Sequence, residues 1–98
     1  MPDLTRRQAR ILFELSNGKR LVVAEQAYAA FICAEDDLAD PSRGVTAAYA
    51  DYLRLHETEC LSPREHHTIE GLGVATAYAA SRGGLDTLFE TSMSSYDE

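Results

Sequence analysis

The amino-acid sequence predicts an all-α protein, a compact bundle of four to five helices. Apolar residues recur mostly at spacings of three and four, strand-like alternation is nearly absent, and alanine is abundant. The apolar fraction of 45% over 98 residues is typical of one globular domain. We therefore expect residues 1–91 to form a single helical domain and residues 92–98 to form a flexible acidic tail.

The first helix is predicted to begin after Thr5, which can act as its N-cap. Gln8 completes a capping box, in which side chain and backbone satisfy each other's unpaired groups. Gly18 is typical of the position just after a helix. A second helix is expected over about residues 21–38, whose middle is apolar on every side, as in a helix buried in a bundle. A strand over residues 20–24 remains the alternative, although no partner strand is evident.

The middle of the chain carries two further helix starts. Asp40 is a possible N-cap with Pro41 in the first helical position, where a missing N–H costs little, so a third helix is expected over about residues 40–60. Residues 62–65, Ser-Pro-Arg-Glu, combine a cap, a first-turn proline and a capping-box glutamate, which predicts a fourth helix. The two helices would form an αα-hairpin that turns at about residues 60–63.

Glycines interrupt and delimit the last part of the chain. Gly71 and Gly73 lie inside the predicted fourth helix, which should reach about Ser81, and their missing Cβ atoms indicate the close approach of another helix. That helix belongs either to the same fold or to a second copy in a homodimer. A short last helix is expected from Leu85 to about Glu90.

The charges are unevenly distributed along the chain, whose net charge is −7. Residues 1–20 hold five basic and two acidic side chains, whereas the remaining residues hold four basic and fourteen acidic ones. An acidic body repels the phosphate backbone, so direct nucleic-acid binding is not expected. The charge distribution favours a protein partner with a basic surface.

We predict a non-enzymatic protein-binding module, most concretely a small acidic inhibitor or adaptor that acts on a nucleic-acid-handling complex. An anti-CRISPR-like phage or plasmid protein is the sharpest form of this prediction. It depends on the small size, the acidic surface and the lack of a Gly-rich phosphate loop or a nucleophile elbow in the sequence. The expected partner-binding residues are Glu35, Asp36, Asp37, Asp40, Asp51, Glu57 and Glu59.

Two alternatives use other residues. A small DNA-binding transcriptional regulator would use the basic residues near the N-terminus, which could equally form a solvated helix face. A metal-binding helical protein would use the cluster within residues 56–67, although the main prediction includes no metal, cofactor or catalytic residue. The candidate DNA contacts are Arg6, Arg7, Arg10, Lys19 and Arg20, and the candidate metal ligands are His56, Cys60 and His66.

The sequence also predicts a cytoplasmic protein without a membrane segment. Its longest apolar run, residues 27–34, is far shorter than the roughly 20 residues that span a bilayer. The first residues do not have the pattern of a signal peptide. Two cysteines, Cys33 and Cys60, are too few for a disulfide framework, so reduced thiols are expected.

Overall fold

The computed structural model describes residues 4–38, 40 and 43–95, and these form an α+β fold with a five-stranded antiparallel sheet and three helices. The strand order in the sheet is β3-β2-β1-β5-β4, so that β1 lies in the centre. Short 3₁₀ turns at Glu25–Ala27 and Glu35–Asp37 follow β1 and β2. The elements in chain order are α1 Arg6–Ser16, β1 Arg20–Ala24, β2 Ala29–Cys33, β3 Val45–Ala47, α2 Tyr49–Glu57, β4 Leu61–Ile69, β5 Gly73–Ala80 and α3 Arg82–Ser95.

The prediction of an all-α helical bundle is therefore wrong, and the error begins at residues 21–38. This stretch contains β1, β2 and the two 3₁₀ turns. The sheet is covered on both faces, so the strands in its middle bury side chains on both sides. An apolar run without alternation is typical of such a strand as well as of a buried helix, and periodicity alone does not separate the two. The strand alternative at residues 20–24 is correct, with partners in β2 and β5.

The predicted αα-hairpin at residues 60–63 is also wrong, because β4 and β5 form a β-hairpin there. Pro63 lies on the edge strand β4, where its missing N–H removes no hydrogen bond between the inner strands of the sheet. The pairing register of β4 with β5 shifts between Pro63 and Glu65. Gly71 and Gly73 have φ angles of 86° and 85°, so they serve the hairpin turn and not a helix contact.

The first helix is confirmed with the predicted cap. The Thr5 hydroxyl accepts a hydrogen bond from the Gln8 backbone N–H at 3.1 Å, and the Gln8 side chain accepts one from the Thr5 N–H at 3.1 Å. Asn17 is the C-cap, and Gly18 follows it with a φ of 93°. The first helix was predictable because its start and its end each depend on residues that are close together in the sequence.

The third and last helices differ from the predictions in their bounds. Residues 45–47 form β3, and α2 begins only at Tyr49 and ends at Glu57; Pro41 lies outside the described residues. The last helix, α3, is longer than predicted and continues to Ser95, while residues 96–98 lie outside the described residues. Ser81, predicted as a helix end, instead accepts a hydrogen bond from the Gly84 N–H at 3.0 Å near the start of α3.

The core has two parts, one on each face of the sheet. On one face the three helices cover β1, β2 and β5, and the largest fully buried side chain there is Tyr52. On the other face a smaller cluster of mainly short side chains is closed by Leu38, Ile69 and Leu72. The helical face carries the candidate site, because α2 crosses the sheet there.

Candidate functional site

The first acidic set lies in the turn that follows β2. Glu35, Asp36 and Asp37 form the 3₁₀ turn, and the Glu35 carboxylate accepts a hydrogen bond from Arg20 at 2.6 Å. Asp40 is exposed a few residues later. Glu35 and Asp36 are exposed as well, so this turn presents carboxylates to solvent, and that of Glu35 is paired with Arg20.

The second acidic set is divided between the interior and the surface. Asp51 is only 4% exposed; one carboxylate oxygen accepts a hydrogen bond from the Gln8 amide at 3.2 Å, and the other lies 3.3 Å from Arg7 Nε. Glu57 and Glu59 are exposed at and just after the end of α2. Asp51 therefore joins α1 to α2 and does not offer a free carboxylate to a partner.

The five basic residues fall in two places and are mostly paired with carboxylates. Lys19 pairs with Glu14 at 2.8 Å, beyond the last turn of α1, and Arg20 pairs with Glu35. Arg6, Arg7 and Arg10 line a groove at the other end of α1. Arg10 pairs with Glu14 at 3.0 Å, whereas Arg6 forms no ion pair within the described part of the chain.

The three candidate metal ligands lie on different elements. Cys60 is fully buried beyond the end of α2, with its Sγ 3.2 Å from the Thr58 hydroxyl, so it does not share a helix face with His56. His66 on β4 bonds through Nδ1 to the Thr76 hydroxyl at 3.1 Å. Among residues 4–38, 40 and 43–95, no group of three or more His, Cys, Asp or Glu side chains could hold a metal ion.

Four tyrosines and a histidine meet at the side of α2 that faces the end of the sheet. We call Tyr28, Tyr49, Tyr52, Tyr78 and His56 the tyrosine cluster. Ring centroids are 5.5 Å apart for Tyr28–Tyr49, 5.3 Å for Tyr49–Tyr52 and 5.6 Å for Tyr52–Tyr78. The His56 ring lies 5.7 Å from that of Tyr52. Such spacings are favourable for aromatic pairs.

The inner part of the cluster is a hydroxyl network beside a carboxylate. The Tyr52 hydroxyl donates to Glu25 Oε2 at 3.3 Å and lies 3.4 Å from the Tyr78 hydroxyl. Burial, reinforced by Tyr78, raises the pKa of Tyr52 far above its usual range. Burial and the nearby Glu25 charge raise the pKa of Tyr49 as well. The Tyr49 and Tyr52 hydroxyls are therefore neutral at pH 7, which suits them to stacking and hydrogen bonding more than to proton abstraction.

The outer part of the cluster is exposed and held in an unusual backbone conformation. Tyr28 is 76% exposed and has a φ of 51°, the left-handed region that bulky residues rarely adopt. Such a conformation costs roughly 1–3 kcal/mol, and residues of this kind are concentrated at functional sites. Leu53 on α2 is exposed as well, and Glu25 adds a charge at the rim.

This cluster was not predicted from the sequence. Tyr49, Tyr52 and His56 have helical spacing, but such spacing is typical of the apolar stripe of any helix. Tyr28 and Tyr78 come from the turn before β2 and from β5, and only the sheet brings them to α2. No local signal in the sequence indicates that contact.

Comparison of the chain with protein-family models, with curated proteins and with solved structures finds no match. Within the described ranges, none of the helices combines the length and the apolar character that crossing a membrane requires.

Proposed function

We propose that this protein is a non-enzymatic protein-binding module that receives an arginine-bearing segment of its partner on the tyrosine cluster. The observation that carries the proposal is Tyr28, a large ring that is 76% exposed, strained in its backbone and packed edge-on against Tyr49. An exposed tyrosine held in one place by a second tyrosine is typical of an interface hot spot.

The chemistry of the cluster fits a guanidinium group. Arginine stacks on aromatic faces and forms directed hydrogen bonds with carboxylates. The cluster offers both kinds of contact, because the Glu25 carboxylate lies beside Tyr52 and influences the pKa of Tyr49. The net charge of −7 would also attract a basic partner during the encounter.

The packing of the rings also favours a high affinity for the partner. Immobilising a flexible side chain at an interface costs about 0.5–1.5 kcal/mol, which weakens binding. The rings of Tyr49 and Tyr52 are already held by their neighbours, so less of this entropy remains to be lost. These rings would therefore change conformation little when a partner binds.

The predicted role as a small inhibitor or adaptor on a nucleic-acid-handling complex remains part of this proposal, with an anti-CRISPR-like protein as its most specific form. The turn at Glu35–Asp37 would be a second contact for a broad basic surface. It lies at the opposite end of the β1–β2 hairpin from Tyr28, and the strand between them, Ala29–Cys33, is about 13 Å long at roughly 3.3 Å per strand residue. We place the protein in the cytoplasm, because its two cysteines are free and buried.

The proposal is tested by selecting binders from a library of random peptides displayed on phage. We expect wild-type protein to enrich peptides that contain arginine, and the variant Tyr28→Ser to lose this enrichment. Phe89→Ser is the matched control, because Phe89 is an aromatic residue on α3 with a similar exposure of 66%. It should retain the enrichment.

Two results would contradict the proposal. A selection that yields no enrichment of arginine-containing peptides would oppose the expected charge of the partner. Arginine enrichment that persists unchanged in Tyr28→Ser would show that general attraction to the acidic surface, and not the tyrosine cluster, selects the peptides. Circular dichroism of each variant checks that the fold is retained, which is expected because Tyr28 is mostly solvent-exposed.

A further inference from the structure

A groove lies on the other side of α2, between the beginning of α1 and the edge strand β3. Its volume is about 760 Å³, within the range of roughly 300–1,000 Å³ that is usual for ligand pockets. We call it the arginine groove. Its lining residues are Arg6, Arg7, Arg10 and Ile11 of α1, Ile32 of β2, Val45, Thr46 and Ala47 of β3, and Ala48 and Asp51.

The groove has an apolar floor. Ile11 and Ile32 belong to the main core, and their buried side chains also line the groove. Val45 stands beside them and is 66% exposed, although β-branched side chains on strands usually pack against a neighbour. An apolar side chain of a ligand would cover Val45 and gain free energy in proportion to the buried area.

The wall of the groove is positively charged on a protein that is otherwise acidic. Arg6, Arg7 and Arg10 face one carboxylate in the lining, that of Asp51, which is already bonded to Gln8 and Arg7. Arg10 also pairs with Glu14, which lies outside the lining, at 3.0 Å. The local charge is therefore opposite in sign to the net charge of −7. Arginine binds carboxylates in a bidentate geometry, with two parallel hydrogen bonds, so the wall of the groove favours an acidic ligand.

The strand at the groove, β3, is an edge strand of the sheet in the part of the chain that the structure describes. Strands β3 and β4 are the two edges in the described part of the chain. On β4, Pro63, a register shift and exposed charged residues such as Arg64 hinder the addition of another strand. On β3, the residues are Val45, Thr46 and Ala47, without proline or charge. An extended peptide can add to such an edge through main-chain hydrogen bonds.

We propose that the arginine groove binds an extended acidic segment of a second protein by adding it as a strand to β3. Alternate side chains of that segment lie against Ile11, Ile32 and Val45, and its carboxylates pair with Arg6 and Arg10. Together with the tyrosine cluster, the groove gives the protein two binding surfaces, one for basic segments and one for acidic segments. An adaptor that joins two different proteins requires two such surfaces.

The test uses a fluorescent synthetic peptide in which glutamate and valine alternate, with binding followed by fluorescence anisotropy. Wild-type protein is expected to bind it, and a peptide in which lysine replaces glutamate is expected not to bind in the groove. The double variant Arg6→Gln with Arg10→Gln should weaken binding by roughly five- to tenfold, since exposed charge pairs make modest contributions each. The control double variant Arg64→Gln with Arg82→Gln removes two exposed charges elsewhere and should leave binding unchanged.

Three further results separate this proposal from its competitors. N-methylation of alternate peptide amides should abolish binding if the segment pairs with β3, and unchanged binding would overturn the strand-addition mode. Binding of inorganic phosphate or duplex DNA with the same arginine dependence, without peptide binding, would overturn the proposal in favour of an anion site. Tyr28→Ser should bind the acidic peptide normally, so failure of the tyrosine-cluster proposal does not affect this one.

Discussion

The tyrosine cluster and the arginine groove lie on two sides of α2, and they are built by different interactions. The cluster is held by ring packing and by a buried hydroxyl network, with Tyr52 only 1% exposed at its centre. The groove is shaped by backbone elements, and its charged wall includes side chains that remain in solvent, such as Arg10. In the cluster, binding and stability share residues, whereas in the groove the ligand-facing charges can be changed with little effect on stability.

The strongest way to break the cluster is to remove its centre. Tyr52→Ala should destabilise the protein by about 3–5 kcal/mol, the usual cost of deleting a large buried ring. Tyr52→Phe is the matched control: it keeps the ring and removes the hydroxyl that bonds Glu25, which should cost only about 1 kcal/mol. Urea unfolding measures both. Equal losses in the two variants would show that the hydroxyl network, and not ring packing, holds the cluster.

The next effect concerns the backbone that shapes the groove. A Cβ atom on Gly44 would overlap the Ile32 carbonyl oxygen and come within 2.9 Å of Cys33 Cα. Gly44→Ala should therefore push β3 away from β2 and destabilise the protein by about 1–3 kcal/mol. Gly83→Ala is the control, because its Cβ would have an ordinary contact at 3.6 Å and alanine favours the helix. A neutral result for Gly44→Ala would mean that β3 is not held closely to the sheet.

A smaller effect on stability is expected from the two carboxylates that pair with arginines of the groove, and it should differ between Asp51 and Glu14. Asp51→Ala should cost about 1–3 kcal/mol, because it leaves the Gln8 amide buried without its acceptor. Glu14→Gln removes a carboxylate that pairs with Arg10 and Lys19 near solvent, and this should cost less than about 1 kcal/mol. Thermal or urea unfolding compares them. A larger loss in Glu14→Gln would reverse our assignment of Asp51 as the joint between α1 and α2.

The smallest effect is the pH dependence of the Glu14 pairs. The hydrogen bond from Lys19, helped by Arg10, lowers the pKa of Glu14 below its ordinary value. The folded state therefore binds fewer protons than the unfolded state in this window, and the contribution is present at neutral pH and lost as the pH falls through the folded pKa. The stability difference between wild type and Glu14→Gln should shrink as the pH is lowered below about 4.3. A constant difference would mean that Glu14 is not paired in solution.

How much was predictable from the sequence follows from the range of the interactions. The cap at Thr5 and Gln8 and the stop at Gly18 are local, and they were predicted correctly with α1. The segment at residues 62–65 has cap residues of the same kind, Ser62 and Glu65, but it pairs with β5 and forms a strand. Here tertiary contacts override a local preference that is worth about 1 kcal/mol or less per residue.

In the candidate sites, too, local features were predictable from the sequence and long-range contacts were not. Arg6, Arg7 and Arg10 lie together because they share a helix, although the groove beside them depends on β3. Lys19 and Arg20, which were predicted in the same basic set, follow the other end of α1. Asp51 was predicted as a partner contact and instead lies buried against α1. Tyr28 and Tyr78 are fifty positions apart in sequence, and they share a site only because Tyr49 and Tyr52 of α2 pack between them in the fold.

The most direct test of the central claim is to map where a basic peptide binds. Isotope-labelled protein is titrated with a short peptide in which arginine and glycine alternate, and backbone amide shifts are followed by NMR. We predict that the shifts concentrate at residues 25–28 and 49–56, around the tyrosine cluster, and that Tyr28→Ser removes them. Shifts that concentrate at the acidic turn of residues 35–37, or that spread evenly over the acidic surface, would contradict the claim.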